Sequence, residues 1–294
     1  MIATPPAVPA TNAPPDPHLY KIRDLIYRAA GIFHPDNKLR LLEDRCSRRL
    51  QELGVKTFRE YLERLSHQTS GREEMVKLLN EITIGETCFF RNRTQLDALR
   101  SVVLPRILAN RSAALPKKLR FWSAGCSTGE EPYTLAMFLA EECALLLKGW
   151  SFEIQATDLN EHSLAHAHAG VYGDYSVRNV NTHYRQRYFV PVENQLRIGP
   201  EARKTITFSR LNLLDAPHMA LMRNMDVIFC ANVLIYFDLQ SKRSAIEQFH
   251  SSLQPHGYLF LGHSESLYGV TDKFKLVHFP SATGYAKALP TTGS

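Results

Sequence analysis

The sequence carries no pair of cysteines at metal-ligand or redox spacing. Its five, Cys46, Cys88, Cys126, Cys143 and Cys230, are odd in number, scattered, and contain no CxxC. That excludes a disulfide framework or a cysteine zinc site as the organising feature, and a reducing compartment fits. Cys46 and Cys143 fall on apolar faces of helical patterns and Cys230 closes an apolar strand, so these three read as small core residues. No apolar run approaches the ~20 residues needed to cross a bilayer, so no membrane insertion is expected. The first residues, MIATPPAVPATNAPPDP, have neither a basic start nor an apolar core, which argues against a secretory signal. Their prolines block regular structure and make 1–17 an expected disordered tail, leaving a cytoplasmic protein. Internal repeats are also missing.

What is present is an uneven charge. The net charge of +6 rests entirely on His18–Arg111, with 18 Lys and Arg against 12 Asp and Glu, while the remainder balances at 17 against 17. A basic module beside a neutral one implies an acidic partner: nucleic acid, a membrane surface or an acidic protein. At 294 residues, 44% hydrophobic and 22% charged, the chain can bury a sizeable core, and its length favours two unequal domains.

The hydrophobic pattern changes character along the chain. LYKIRDLIYRAAGI places Leu19, Ile22, Ile26 and Ala29 at helical spacing, with Gly31 as a C-cap. NKLRLLEDRCSRRLQELG carries a stripe of Leu39, Leu42, Cys46, Leu50 and Leu53 ended by Gly54. TFREYLERLS has capping-box form, Thr57 followed three residues on by Glu60. After a polar break at 68–71, REEMVKLLNEIT turns Met75, Leu78, Leu79 and Ile82 inward. These helices form a module over 18–95; a longer helix, RTQLDALRSVVLPRILANR, and a linker through residue 118 follow. From there short apolar runs, LRFWSAG, FEIQATD, ITFSRLNLL, MDVIFCANVL and GYLFLGHSE, are separated by helical or loop stretches, EEPYTLAMFLAEECALLL among them. Repetition of this kind predicts a mainly parallel sheet with helices on both faces.

Four stretches carry chemistry. The turn Ser123–Gly129, between the first strand and a helix, has glycines at 125 and 129 for tight geometry and close ligand approach, Ser127 or Thr128 to cap the helix, and Pro132 for its first turn. It departs from GxGxxG, and with no Lys-Ser/Thr after it, it is no Walker A loop. Asp158 ends the second strand, where its two oxygens can accept both ribose hydroxyls of an adenosine; the plain alternative is an N-cap for the next helix. Asn232 and Val233 end a third strand beginning at Asp226, with Tyr236 one turn on; the plain alternative there is core packing. In GETCFFRN, Phe89 and Phe90 read as core, while Thr87 and Arg91 share a face if the stretch is helical and could present a hydroxyl and a guanidinium to a carboxylate.

In these stretches the chain resembles the chemotaxis receptor methyltransferase (CheR) family. TIGETCFFRN, RFWSAGCSTGEEPYTLAM, QATDLN, FSRLNLLD, DVIFCANVLIYFD and GYLFLGHSES match in family order, over nearly everything from Leu19 to Ala288. The glutamate pair after the glycine turn and the terminal GHSES are the most specific of these. The resemblance implies an all-helical N-terminal domain (18–95), a linking helix and linker (96–118), and a Rossmann-like class I methyltransferase domain of α/β class (119–290) carrying a small antiparallel β subdomain (172–206). It implies S-adenosylmethionine as cofactor, no metal, and methyl esters formed on glutamates of receptors. Carried over residue by residue, Thr87, Arg91 and Glu130 would act at the methionine end, and Asp158 at the ribose. Asn212 and Leu213 would flank the adenine, Asn232 and Val233 would line the cofactor, and Arg91 and Tyr236 would be the catalytic pair. Gly85 stands where the family usually has Asn, and Ala231 where it usually has Arg. The loop at 190–195 is short against members that dock a receptor tail peptide.

Lys38, Arg45, Arg48 and Arg49 fall opposite the leucine stripe of the second helix and could dock the glutamate-rich helical bundle of a receptor, bound by a monomer; an ordinary solvated face is the plain alternative. Two other functional readings remain open on the sequence. A nucleic-acid methyltransferase fits the charge, but an AsnProProTyr-type tetrad and an aromatic stacking strip are both missing. A non-catalytic regulator of the same fold is compatible with Gly85 and Ala231.

Overall fold

The computed structural model describes residues 14–83, 85–113 and 115–288. The expected tail at 1–17 therefore lies outside the described residues as far as residue 13, and regular structure begins at Pro17. The chain divides into two compact units, Met1–Ala29 with Phe33–Leu78, and Ala30–Ile32 with Leu79–Ser294.

The first unit is helical. Pro17–Ala30 (α1) buries Leu19, Ile22 and Ile26 completely, and Gly31 takes φ +68° just beyond its end. Leu39–Leu53 (α2) buries Leu39, Leu42, Cys46 and Leu50; Gly54 at φ +67° turns the chain, and Val55 N–H reaches back to Leu50 O at 3.0 Å. Phe58–Leu65 (α3) is capped by Thr57, whose hydroxyl accepts from Glu60 N–H at 3.2 Å. Glu60 reaches back to Lys56 N–H rather than to the cap's own, so the box is displaced by one residue. Ser70–Ile82 (α4) begins two residues before the polar break ends, because Gly71 lets the helix start against α3: a Cβ there would stand 2.3 Å from Leu65 O.

Arg49 is not a surface docking residue. It is 5% exposed, and its Nε and Nη2 donate to Glu74 Oε1 and Oε2, both at 2.9 Å. Tyr61, fully buried, donates its hydroxyl to Glu74 Oε1 at 2.9 Å, and Arg49 Nη1 also meets Glu52. Position 49 lies three residues after Cys46, beside the apolar stripe rather than opposite it, so the guanidinium enters the core and is satisfied there. Lys38 and Arg48 are exposed and Arg45 is half-buried.

The second unit starts with a long helix that is not regular. Arg93–Ala98 (α5) passes through a π segment at Leu99–Val103 into Leu104–Ala109 (α6). Pro105 offers no N–H and its ring crowds the carbonyl four residues back, so the helix widens just before it. Next come Lys118–Ala124 (β1), Glu130–Glu141 (α7), Ser151–Asp158 (β2) and Glu161–Ala169 (α8). The expected helix through Leu147 stops at Glu141. Past that point Glu142 is held by Arg93, Arg100 and Tyr184, and Cys143 N–H reaches five residues back to Phe138 O. Val171–Tyr172 (β3), Asp174–Val177 (α9), Thr182–Tyr188 (α10), Phe189–Val192 (β4) and Gln195–Ile198 (β5) follow. Then come Pro200–Arg203 (α11), Ile206–Arg210 (β6), Ala216–Met219 (α12), Met225–Cys230 (β7), Leu239–Ser252 (α13), Leu253–Leu261 (β8), Phe274–His278 (β9) and Thr283–Lys287 (β10).

The large sheet has the order β6-β2-β1-β7-β8-β10-β9; its first five strands run parallel, and at one edge β10 lies antiparallel to both of its neighbours, β8 and β9. Alternation along β1 sends Phe121 into the cluster that holds Leu135 and Phe138 of α7, and Trp122 to the other face, where its ring meets Phe249 of α13 edge-on at 5.2 Å. Helices thus cover both faces. A second sheet, β3-β5-β4, is small and antiparallel, its strands lying between Val171 and Ile198, while Ile206 opens a strand of the large sheet. All five cysteines are buried and free, and burial pushes the Cys46 and Cys143 thiols up to about 12. No described helix is long and apolar enough to cross a membrane.

Replacing Glu74 by Ala should cost about 3–5 kcal/mol, because it removes two hydrogen bonds from a buried guanidinium and the acceptor of the buried Tyr61 hydroxyl. Pairing that change with Arg49→Met should restore most of the loss. Urea unfolding of the full chain measures both; a single-variant loss under about 1 kcal/mol would mean the pair is solvated.

Candidate active site

The ends of the central strands fix the site. β1 runs into Gly125, whose N–H and that of Cys126 both donate to Thr157 O, at 2.8 and 2.9 Å, tying the turn to the end of β2. Gly125 has φ +78°, and a Cβ on it would stand 2.3 Å from Val233 Cγ2, so only glycine fits on both counts. Ser127, itself at φ +48°, donates its N–H to Asp158 Oδ2 at 2.7 Å, while Asn160 N–H donates to Oδ1 at 2.8 Å. Leu211 N–H bonds Asp158 O at 2.9 Å, which brings Asn212 and Leu213 alongside. Burial lifts the Asp158 carboxyl above its ordinary range, partly offset by the N–H groups of Asn160 and Ser127.

Asp158 is not the cap of α8. Asn160 is: its Oδ1 accepts from Ser163 N–H at 3.0 Å, and its Nδ2 donates to Asn80 O and Thr83 Oγ1. Nor do Ser127 or Thr128 cap α7. Gly129, at φ +94°, holds the cap position with no side-chain bond, and Thr128 donates its hydroxyl to Glu130 at 2.6 Å. The Ser127 Oγ is buried without a hydrogen-bond partner among the described residues. Gly85 faces it, since a Cβ there would lie 2.0 Å from that oxygen. Gly85 is thus where the 85–91 stretch closes onto the glycine turn.

That stretch is not helical, so Thr87 and Arg91 do not share a helix face; it has no regular structure to Cys88 and then turns, with Phe90 at φ +54°. Thr87 is half-buried. Arg91 is exposed and donates to Glu86 O within its own turn. Phe89 is fully buried, its N–H bonded to Ser176 O at 3.0 Å and its ring edge-on to Tyr172 at 4.9 Å. Tyr175 donates its hydroxyl to the Glu86 carboxylate at 2.6 Å, under the guanidinium of Arg178 at 3.8 Å from the ring.

The glutamate pair divides its work. Glu130 is 2% exposed and accepts from Thr128 and from Ser176 Oγ at 2.9 Å, which joins α7 to the small sheet's loop. Tyr172 adds a second link, donating to Thr128 O at 2.6 Å. Glu131 accepts from Ser123 Oγ at 2.7 Å; burial pushes its carboxyl up to about 7, with the Ser123 hydrogen bond and the Arg91 charge pulling the other way and Glu265 adding to the rise. After β7, Asn232 stands at φ +61° with its N–H on Glu265. A single 3₁₀ turn, Leu234–Tyr236, leaves Ile235 and Tyr236 at the rim, Tyr236 being 42% exposed.

Contacts therefore join the 85–91 stretch carrying Thr87 and Arg91, the glycine turn, Asp158, the Asn212–Leu213 segment and Val233. Lys38, Arg45 and Arg48 belong to the helical unit. Glu131, Ser176 and Glu265 were given no role from the sequence; the glutamate pair after the glycine turn signals Glu131, GHSES signals Glu265, and Ser176 carries no signal. The pocket fits an adenosyl group. Each carboxylate oxygen of Asp158 uses one lone pair on backbone and keeps another for a ribose hydroxyl, and the buried Ser127 hydroxyl beside it has no partner among the described residues. Among the described residues no cluster of metal-ligating side chains occurs.

Comparison with known proteins agrees with that geometry. Residues 17–83 match the family model described as the CheR methyltransferase all-alpha domain, and residues 85–283 match the CheR methyltransferase SAM binding domain. Chemotaxis protein methyltransferase 2 of Vibrio cholerae is 36% identical over 273 residues, covering 92% of this chain and 93% of that one. The chemotaxis protein methyltransferase of Escherichia coli K12 is 35% identical over 266 residues, covering 89% and 88%. Chemotaxis protein methyltransferase Cher2 of Pseudomonas putida is 34% identical, covering 87% and 93%.

The raised Glu131 carboxyl makes a pH prediction. Between about pH 4.5 and 7 the folded chain keeps a proton that the unfolded chain has released, so stability from this group falls as pH rises through that window and stays low above it. Glu131→Gln keeps the Ser123 contact and removes the titration. Thermal unfolding at pH 5, 6, 7 and 8 should therefore show a flatter profile for the variant; parallel profiles would place the Glu131 proton elsewhere.

Proposed function

The chain belongs to the CheR methyltransferase family, and on that footing we propose that it transfers a methyl group from S-adenosylmethionine to glutamate side chains of chemotaxis-type receptors, leaving glutamate methyl esters. The observation that carries this reading is the tie from Ser127 N–H to Asp158, which sets a ribose-accepting carboxylate against a glycine turn roofed by Val233. Asp158 holds the ribose, Asn212 and Leu213 flank the base, and Thr87, Arg91 and Glu130 serve the methionine end. Asn232 and Val233 line the cofactor. When bound, the cofactor supplies an electrophilic methyl on a sulfonium.

Transfer of that methyl to a carboxylate is an in-line displacement in which opposite charges are neutralised. A glutamate of unperturbed pKa ~4.3 is already ionised near neutral pH, so the site needs no general base. Alignment is what the chain supplies, and it can lower a barrier by ~7–11 kcal/mol in favourable cases. Arg91 and Tyr236 orient the incoming carboxylate from two separate loops. Both are solvent-accessible, which suits a reactant presented on another protein, and exposure weakens any ground-state ion pair that would blunt the nucleophile. The site lies in the second unit. The basic surface of α2, now Lys38, Arg45 and Arg48 without Arg49, serves to dock the acidic helical bundle of the receptor, in the cytoplasm, with the enzyme acting as a monomer.

Incubation with tritiated S-adenosylmethionine and receptor cytoplasmic fragments should give base-labile methyl esters. No incorporation with fragments that a related enzyme methylates would reject the reading. Tyr236→Phe should lower turnover roughly ten- to a hundredfold with little change in S-adenosylhomocysteine affinity, measured by steady-state kinetics and calorimetry. Arg45→Glu with Arg48→Glu should raise the KM for receptor several-fold and leave cofactor binding alone; an unchanged KM would remove the docking role.

A further inference from the structure

Glu265 sits in the loop after β8 and belongs to none of the groups assigned above to cofactor or substrate. Its carboxylate faces inward across the mouth of the sheet and is half-buried. Oε2 accepts from Asn232 N–H and from Gly262 N–H, both at 2.7 Å, and Oε1 accepts from Ile235 N–H at 3.2 Å. Two of those three donors, Asn232 and Ile235, lie 33 and 30 residues away in the chain. Charge-assisted bonds of this kind are the stronger class of hydrogen bond.

The approach has been cleared for it. A Cβ on Gly262 would stand 2.7 Å from Glu265 Oε2, and 2.8 Å from both the N and the Oδ1 of Asn232, so any side chain there would push apart the carboxylate and the segment it holds. Asn232 itself adopts φ +61°, a left-handed conformation that costs free energy for a residue with a Cβ and persists only where surroundings fix it. Asn232 N–H is the group Glu265 grips. The neighbouring Val233 is the residue that packs on Gly125, and Tyr236 follows after a single 3₁₀ turn, closed by Tyr236 N–H on Val233 O at 3.2 Å.

We propose that Glu265 is a positioning residue for methyl transfer, an internal anion that holds the strained Asn232–Tyr236 segment in its active conformation and so sets both the cofactor wall and the rim tyrosine. This rests on the methyltransferase reading above. Without the carboxylate, three N–H groups lose their acceptor and Asn232 is released to relax toward ordinary backbone, carrying Val233 off Gly125 and Tyr236 off the reacting centre.

Glu265→Ala should raise the Kd for S-adenosylhomocysteine about tenfold and lower kcat about tenfold or more, with Glu265→Gln in between because one amide oxygen can still accept. Amide hydrogen exchange in the cofactor-free protein should show faster exchange over 231–236 in the Ala variant, with the core strand β1 unchanged. Gly262→Ala, which leaves Glu265 in place, should reproduce the loss. A purely structural carboxylate would lower the melting temperature while Kd and kcat of the folded protein stayed within twofold, and that result would overturn the proposal, as would unchanged exchange over 231–236. If Glu265→Ala does not fold, the Gln and Gly262 variants decide on the same readouts. If the wild-type chain binds no S-adenosylhomocysteine, the methyltransferase reading fails, while exchange still reports whether Glu265 holds the segment.

Discussion

Two backbone N–H groups, from Ser127 and Asn160, end on the carboxylate of Asp158, and the architecture of the second unit converges on that meeting. A parallel sheet delivers neighbouring strands to the same edge, so the turn after β1 and the acid ending β2 must lie side by side. The turn can approach closely only because Gly125 and Gly129 accept positive φ, and it stays there because Thr157 O takes two of its N–H groups. Asp158 then sets the next layer, with Leu211 bonded to its carbonyl and Asn160 beginning α8. Replace that carboxylate and the turn and the start of α8 lose a common reference.

Much of this was legible in the sequence where local rules act alone. Helical spacing identified the buried faces of α1, α2 and α4, the glycines at 31 and 54 marked where chains turn, and the short apolar runs gave β1, β2, β6, β7 and β8 of the large sheet but not its edge pair β9 and β10. Local rules failed where a tertiary partner decides. Arg49 reads as surface by residue type, yet Glu74 and Tyr61, 25 and 12 positions away, draw it into the core. The GETCFFRN stretch has no helix because Phe89 must pair its N–H with Ser176. The π segment was hidden because its cause, a missing N–H at Pro105, acts one turn upstream.

At the site the pattern is similar. Asp158 and the glycine turn were readable because spacing and strand position suffice. The separate roles of Glu130 and Glu131 were not, since adjacent residues on a helix point about 100° apart and only the partners, Ser176 for one and Ser123 for the other, tell which way each faces. Glu265 could not be found from chain order at all, because its donors lie thirty and more residues upstream. Polar groups whose partners are distant backbone atoms leave no periodic trace.

The small antiparallel sheet is fastened to the glycine turn at Tyr172 and, through Ser176 of α9, to the start of α7, while beyond the buried Phe189 the tip of the β4–β5 hairpin stands clear with Val190 exposed. Inherited variation in that sheet is therefore unevenly permitted. A lineage adopting a new docking partner could remodel the hairpin tip beyond Phe189 at little cost to the chemistry, whereas the strand carrying Tyr172 is held to its present form by a neighbour with a different task.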